Sequence, residues 1–270
     1  MSVITISRGS FSGGKMLAES LAEELNYRTI DRDTIVEKAA ACGASPHDLR
    51  NALERAPSFL ERFRHKRYVY LAVIQAALAE EVRHGEVVYH GHAGHLLLKG
   101  ATPVFRVRVI APLEVRISMA KQRLGLNREE SISYIRKVDQ ERKKWAEYLY
   151  GIDWADASLY DLVINLEHLD LENAPEIIIR TAKTQKCFLF DSRCQEAMDD
   201  LARASRVKAD LALNSPTADL ELEVEAEGGE VRIGGKVSSI DQIGEIERVA
   251  RLVEGVAEVN LEQIAPAVTA

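Results

Sequence analysis

Ser7-Arg8-Gly9-Ser10-Phe11-Ser12-Gly13-Gly14-Lys15 is the stretch on which the reading of this chain turns. It follows a short apolar run, Val3 to Ser7, that reads as a strand. It opens a helical pattern, Met16 to Leu25, in which Leu17, Leu21 and Leu25 share one face. Gly9, Gly14 and Lys15 have the spacing G-x-x-x-x-G-K. Phosphate binding requires such a layout, because backbone N–H groups must point inward around the phosphate oxygens and glycine permits the curvature and close approach. A helix N-terminus adds free donors and a favourable dipole. Lys15 would neutralise charge on a transferred phosphoryl group. The Ser or Thr that usually follows the lysine to hold magnesium is absent, since Met16 and Leu17 stand there. Magnesium would need another ligand, a water or the nucleotide itself. The competing reading is a glycine-rich strand-to-helix turn without chemical consequence.

Outward from this turn, short apolar runs alternate with helical patterns up to about residue 183. A helix is predicted over roughly Phe59 to Arg83, stopped by Gly85. Val87-Val88-Tyr89, Val104 to Ile110 and Leu162-Val163-Ile164 read as strands. Pro112 suits a helix start leading to Leu124, Asn127 can cap a helix through Tyr150, and another helix lies near Glu172 to Lys183. Strands alternating with helices predict an α/β domain, a mainly parallel sheet covered on both faces. From about Met198 the pattern changes. A helix covers roughly Asp199 to Leu213, and Asn214-Ser215-Pro216 breaks it. Leu220, Leu222, Val224 and Ala226 alternate with four glutamates, Gly228-Gly229 signals a hairpin, and Val231, Ile233 and Val237 return. A helix from Ile240 to Val253 and a last strand, Val256 to Ile264, complete a small second domain of α+β type. The expected limits are 1–185 and 198–265, and the join between them is not a flexible Gly/Ser tether.

In 270 residues, 46% hydrophobic and 29% charged, there is enough apolar material for a substantial core. The net charge of −7 argues against a general nucleic-acid binder, though a local basic pocket remains compatible with it. Three cysteines, Cys42, Cys187 and Cys194, do not form a disulfide framework. No signal pattern opens the chain and no apolar run reaches the ~20 residues of a membrane span. A cytoplasmic protein is expected.

Residues 1 to about 183 resemble the cytidylate kinase-like branch of the P-loop kinases. The motifs that carry the resemblance are Ser7-Arg8 with Ser12-Gly13-Gly14-Lys15, the short strand Tyr27-Arg28-Thr29-Ile30-Asp31-Arg32, Asp139-Gln140-Glu141-Arg142, Gly151-Ile152-Asp153-Trp154, and Ser158 to Asn165. The resemblance implies a three-layer α/β/α fold with five parallel strands, which uses ATP and Mg2+ to phosphorylate a nucleoside monophosphate, CMP-like, or a related small acceptor. It implies a nucleotide site of Gly9, Ser10, Ser12, Gly13, Gly14, Lys15 and Met16. It makes Lys15, Arg142 and Arg136 the catalytic candidates, with lid arginines closing over the phosphates. Asp31, His92 and Arg123 are the acceptor-side candidates. Asp31 could orient acceptor or magnesium, or cap the helix near Thr34. His92 stands where the family commonly has arginine, and Phe11 where it has glycine. His90, His92 and His95 do not read as a metal site, since no carboxylate or cysteine stands nearby in sequence.

The second domain resembles a BON domain, through Gly229, Val231, Ile233, Gly235, Val237 and Val253 to Val256 with Val259. That implies a ligand or protein partner for it. The competing reading of the whole chain is a nucleotide-binding sensor that no longer transfers phosphate and acts through this domain, for which Phe11, Met16 and His92 speak.

Overall fold

The computed structural model describes residues 3–54, 66–91, 93–99, 103–184 and 191–266. The first sheet is built from β1 (Val3–Arg8), β2 (Arg28–Asp31), β3 (Val87–His90), β4 (Val104–Ile110) and β5 (Leu162–Asn165), in the order β2-β3-β1-β4-β5. Every pairing is parallel. β1 lies at the centre, and the chain passes to opposite sides of it. That places a crevice at its carboxyl end, where ligands bind in open α/β sheets. Val3, Ile4 and Ile6 are buried to within 1% of complete. A strand covered on both faces is apolar throughout rather than alternating.

The pleat sends alternate residues to two cores. Val3, Ile30, Val87, Tyr89 and Val104 face one layer of helices, α2 (Arg32–Ala40), α3 (Pro46–Glu54) and α4 (Lys66–Val82), together with part of α7 (Arg128–Tyr150). Ile4, Ile6, Val88, Phe105, Val107 and Val109 face α1 (Gly14–Leu25) and α8 (Ala174–Thr184) on the other side. The three-layer α/β/α architecture follows. Between β3 and α7 run the short α5 (Gly94–Leu97), β4 and α6 (Leu113–Leu124). Pro112 occupies the N-cap position of α6, and Asn127 with Glu130 forms a reciprocal capping box on α7. The predicted helix over 59–83 is seen as α4; residues 59–65 lie outside the described residues. So do His92 and Cys187.

The second sheet pairs β6 (Leu222–Glu227) antiparallel to β7 (Glu230–Val237) through the Gly228-Gly229 turn. The single strand predicted over Val256 to Ile264 is instead two, β8 (Glu258–Asn260) and β9 (Ile264–Pro266), both parallel to β7. A turn intervenes, with the Ile264 N–H donating to the Leu261 carbonyl. The helix before them, α10 (Ile240–Arg251), ends four residues short of Gly255.

The preceding helix, α9 (Ser192–Leu213), starts well before the predicted Asp199. Asp191 caps it by accepting from the Cys194 N–H at 2.9 Å. Its early turns are held by tertiary contacts that periodicity does not reveal. Gln195 donates to the Arg83 carbonyl at 3.2 Å, Arg83 Nε donates to Asp199 at 2.5 Å, and Met198 is fully buried against the first core. Farther along, Val207 and Leu211 enter the core of the second sheet. One continuous helix thus serves both cores. Among the described residues no helix is long and apolar enough to cross a membrane.

Candidate functional site

The turn between β1 and α1 is shaped from both sides. Gly13 is the N-cap of α1 at φ +85°, a left-handed conformation that glycine adopts without penalty. A Cβ at Gly14 would stand 2.5 Å from Arg8 Cδ, so the Arg8 side chain crosses directly over this residue and only glycine leaves it room. No side chain caps α1. Its first intrahelical bond runs from the Leu17 N–H to the Gly13 carbonyl, which leaves the N–H groups of Gly14, Lys15 and Met16 for a ligand. By contrast α2, α7, α9 and α10 are all capped by side chains, from Asp31, Asn127, Asp191 and Ser239.

Phe11 stands at φ +57°, which costs a non-glycine residue on the order of 1 kcal/mol or more. Its ring packs beside Ile117, Ala120 and Ile135 and lies 5.8 Å from the Tyr134 ring. Burial between α6 and α7 offsets the strain where glycine would give no packing. Ser12, expected to contact nucleotide, is buried and donates inward to the carbonyls of Gly9 (3.0 Å) and Val109 (3.4 Å), closing the turn on itself.

A cavity of about 470 Å³ opens at the carboxyl edge of the sheet. Ser10, Phe11, Gly13 and Lys15 form one wall; Asp31, Arg32, Asp33, Leu53 and Glu54 form another; Arg123, Tyr134, Lys137, Glu141 and Arg142 from α6 and α7 close it. Arg8 and His90 lie on the cavity wall at the strand ends. Six cationic side chains face four acidic ones here, although the chain as a whole is acidic. Burial, with Arg8 close by, pushes the Arg142 guanidinium down to about 10. Burial and the charges of Arg123 and Arg32 likewise lower that of Arg8. Arg142 donates to the Arg8 carbonyl at 2.8 Å, and the Nε atoms of Arg8 and Arg32 have no partner. The cavity thus concentrates positive charge in a chain that is acidic overall. Among the described residues Lys15 pairs only with Glu19, at 3.7 Å and nearly half exposed, a weak attachment.

Asp31 caps α2 and also lines the cavity. Its Oδ1 accepts from the Thr34 N–H (2.8 Å) and hydroxyl (2.9 Å), capping α2, while the carboxylate lines the cavity. Burial alone would raise its pKa, but the two Thr34 bonds, with His90 and Lys15 nearby, outweigh it and hold it below the usual value. His90 pairs in register with Asp31 across β2 and β3. Its pKa is lowered by burial and then by Arg8.

Of the candidates from sequence, Ser10, Gly13, Lys15, Asp31, Arg123 and Arg142 meet at this cavity. Arg136 does not join them. It faces a separate shallow depression with Glu129, Ile132, Ser133 and Gln140. The α7 residues on the cavity wall, Tyr134, Lys137, Val138 and Glu141, form an i, i+3, i+4, i+7 stripe with Arg142 at its edge, and Arg136 lies on the opposite face. The Met16 side chain is exposed and off the cavity wall. Gly151 to Trp154 acts structurally. The Trp154 carbonyl accepts from Arg108 at 2.6 Å and from the Tyr160 hydroxyl at 2.7 Å, with Arg108 stacked over the Trp154 ring.

Sequence reasoning missed Arg116. Its Nε donates to the Ser10 carbonyl at 2.7 Å, and its guanidinium also bonds Ser10 Oγ and Asp139. No local signal marks it, for it lies 106 residues from its partner. Arg8 and Arg32 stand within the motifs themselves and His90 within the histidine segment, but the sequence assigns none of them to the site.

Comparison with known proteins agrees with this geometry. The profile of the cytidylate kinase-like family matches residues 3–168, and that of the BON domain matches residues 199–265. A cytidylate kinase of Ignicoccus hospitalis is 30% identical over 186 residues, which span 68% of this chain and 98% of the relative. A cytidylate kinase of Staphylothermus marinus is 33% identical over 182 residues, 66% of this chain and 94% of that one. Among solved structures, an uncharacterized protein from Eubacterium ventriosum superposes with a TM-score of 0.55 at 18% identity, covering 68% of this chain and 99% of that one, a likeness of fold.

Proposed function

Because the chain belongs to the cytidylate kinase-like family, we propose that it transfers the γ-phosphate of ATP to a nucleoside monophosphate, with CMP the first acceptor to test. The observation that carries this is the convergence of the open N-terminus of α1 and Lys15 with Arg8, Arg123 and Arg142 over one cavity. In the reaction, an oxygen of the acceptor's phosphate attacks Pγ, the bond from Pγ to the β,γ-bridging oxygen breaks, and ADP leaves. Little covalent work falls to the protein, so its residues act by position and charge. The N–H groups of Gly14, Lys15 and Met16 hold the phosphate chain. Lys15 and the α6–α7 cations offset the charge spread over the transferring oxygens. The wall of Asp31, Arg32 and Asp33 receives the acceptor.

Magnesium fits this chain in a particular way. Position 16 offers no hydroxyl, and no group of three or more metal-ligating side chains stands together among the described residues. Asp31, with its Oδ2 open, supplies one hard carboxylate oxygen on the cavity wall. One or two carboxylates beside nucleotide phosphates and water match magnesium's habit, and the ion when bound would neutralise phosphate charge. The same Met16 favours the second reading, a nucleotide-binding sensor without turnover. We assign 1–185 to the kinase domain and 198–265 to the BON domain, whose ligand or protein partner would then read the nucleotide state. ATP consumption with CMP, dCMP, UMP, AMP and GMP, with Lys15→Ala as control, tests the proposal. A Lys15-dependent rate with one acceptor supports a kinase and names its substrate. ATP binding without turnover on any of them counts against a nucleoside-monophosphate kinase and favours the sensor.

A further inference from the structure

The limb of the phosphate loop that enters from β1 carries a closed network of its own. The Ser10 N–H donates to Asp139 Oδ1 at 3.1 Å and the Ser10 hydroxyl to the same oxygen at 2.8 Å. Arg116 Nε holds the Ser10 carbonyl at 2.7 Å, and its Nη2 reaches both Ser10 Oγ (3.0 Å) and Asp139 Oδ2 (2.5 Å). A Cβ on Gly9 would stand 3.3 Å from the Arg116 guanidinium carbon, so this side chain forms the floor of the limb. Asp139 and Arg116 are each mostly shielded from solvent. The carboxylate therefore sits against a loop whose purpose is to hold phosphate, where an uncompensated negative charge would repel the nucleotide.

We propose that Arg116 is a positioning residue for phosphoryl transfer. It neutralises Asp139 beneath the phosphate loop and, by gripping both the carbonyl and the hydroxyl of Ser10, fixes α6 and α7 to the loop before nucleotide arrives. Asp139 lies one turn from Arg142, which bonds the Arg8 carbonyl. The same docking thus sets where Arg142 stands over the cavity, and preorganised charge of this kind requires no rearrangement as the reaction proceeds. Two separable roles follow, charge compensation and geometry. Lysine can replace the first but not the second, because an ammonium lacks the planar fork of donors that spans Ser10 and Asp139.

The inference rests on the kinase reading, and the experiment separates the two. ATP binding, kcat and thermal midpoint are measured on the full chain for the wild type, Arg116→Ala, Arg116→Lys and the double variant Arg116→Ala with Asp139→Asn. Arg116→Ala is expected to weaken ATP binding on the order of tenfold, with kcat lowered as well. Arg116→Lys is expected to restore ATP affinity to within about threefold of wild type while kcat stays roughly tenfold down. The double variant, having lost the uncompensated carboxylate, is expected to bind ATP better than Arg116→Ala. Unchanged binding and turnover in a folded Arg116→Ala protein would overturn the inference alone. So would a double variant that binds ATP no better than Arg116→Ala. If Arg116→Ala fails to fold, Arg116→Lys carries the test: equal loss of affinity and kcat in a folded protein overturns it, and the split supports it. A wild type that binds no ATP sinks the kinase reading and this inference with it.

Discussion

Replacing His95 with phenylalanine should flatten the acid dependence of stability. His95 lies in α5, 8% exposed, with neither ring nitrogen partnered among the described residues and its ring 4.8 Å from that of Tyr160. Burial, then the charges of Arg106 and Arg108, lower its pKa from 6.5 to about 4. Above pH 6.5 the imidazole is neutral in both the folded and the unfolded chain and contributes no pH dependence. Below that, the unfolded chain takes up the proton first, so stability falls with pH until the folded pKa is passed. With those two values the loss is about 1.4 kcal/mol by pH 5.5 and about 2.5 kcal/mol by pH 4.5. Phenylalanine keeps the packing against Tyr160 and has no proton to bind. The assay is urea unfolding of wild type and His95→Phe at pH 7.5, 5.5 and 4.5. The difference between the two proteins should widen by these amounts as pH falls. Parallel curves at all three values would refute the idea that His95 is held neutral by its surroundings.

Three further outcomes test the site and its supports. Asp31→Asn preserves an N-cap acceptor for Thr34 but removes the charge, so turnover should drop with the thermal midpoint nearly kept, whereas Asp31→Ala should also lose about 1 kcal/mol of stability; equal midpoints for the two variants would count against the cap. Gly14→Ala drives a methyl into Arg8 and should abolish measurable ATP binding in a protein whose circular dichroism is unchanged; wild-type affinity would mean Arg8 can move aside without harm. Asp199→Ala breaks the partly buried pair with Arg83 between α9 and α4 and should cost roughly 1–3 kcal/mol in urea unfolding, a figure that an exposed pair would not approach.

Much of this protein was legible as sequence because local backbone demands are written locally. The phosphate turn needs glycine where φ turns positive and where Arg8 crosses at Gly14, and a strand before it and helix after it, all within about a dozen residues. The Asn127 cap, the Gly228-Gly229 hairpin and the period-two strand of glutamates belong to the same kind. Tertiary structure decided which side chains meet. Arg142 reaches the cavity and Arg136 does not, because helix phase relative to the sheet is set by packing. Arg116 and Asp139 close on Ser10 from more than a hundred residues away, since the order β2-β3-β1-β4-β5 brings α6 and α7 over the end of β1. Phe11 could occupy a glycine position only because the α6–α7 cleft was there to bury it. The two-core role of α9 was hidden for the same reason, as its first turns are stabilised by α4 and not by their own periodicity. Short-range patterns report the conformation a segment prefers. Charges and apolar faces that converge across the fold report only through the topology that brings them together.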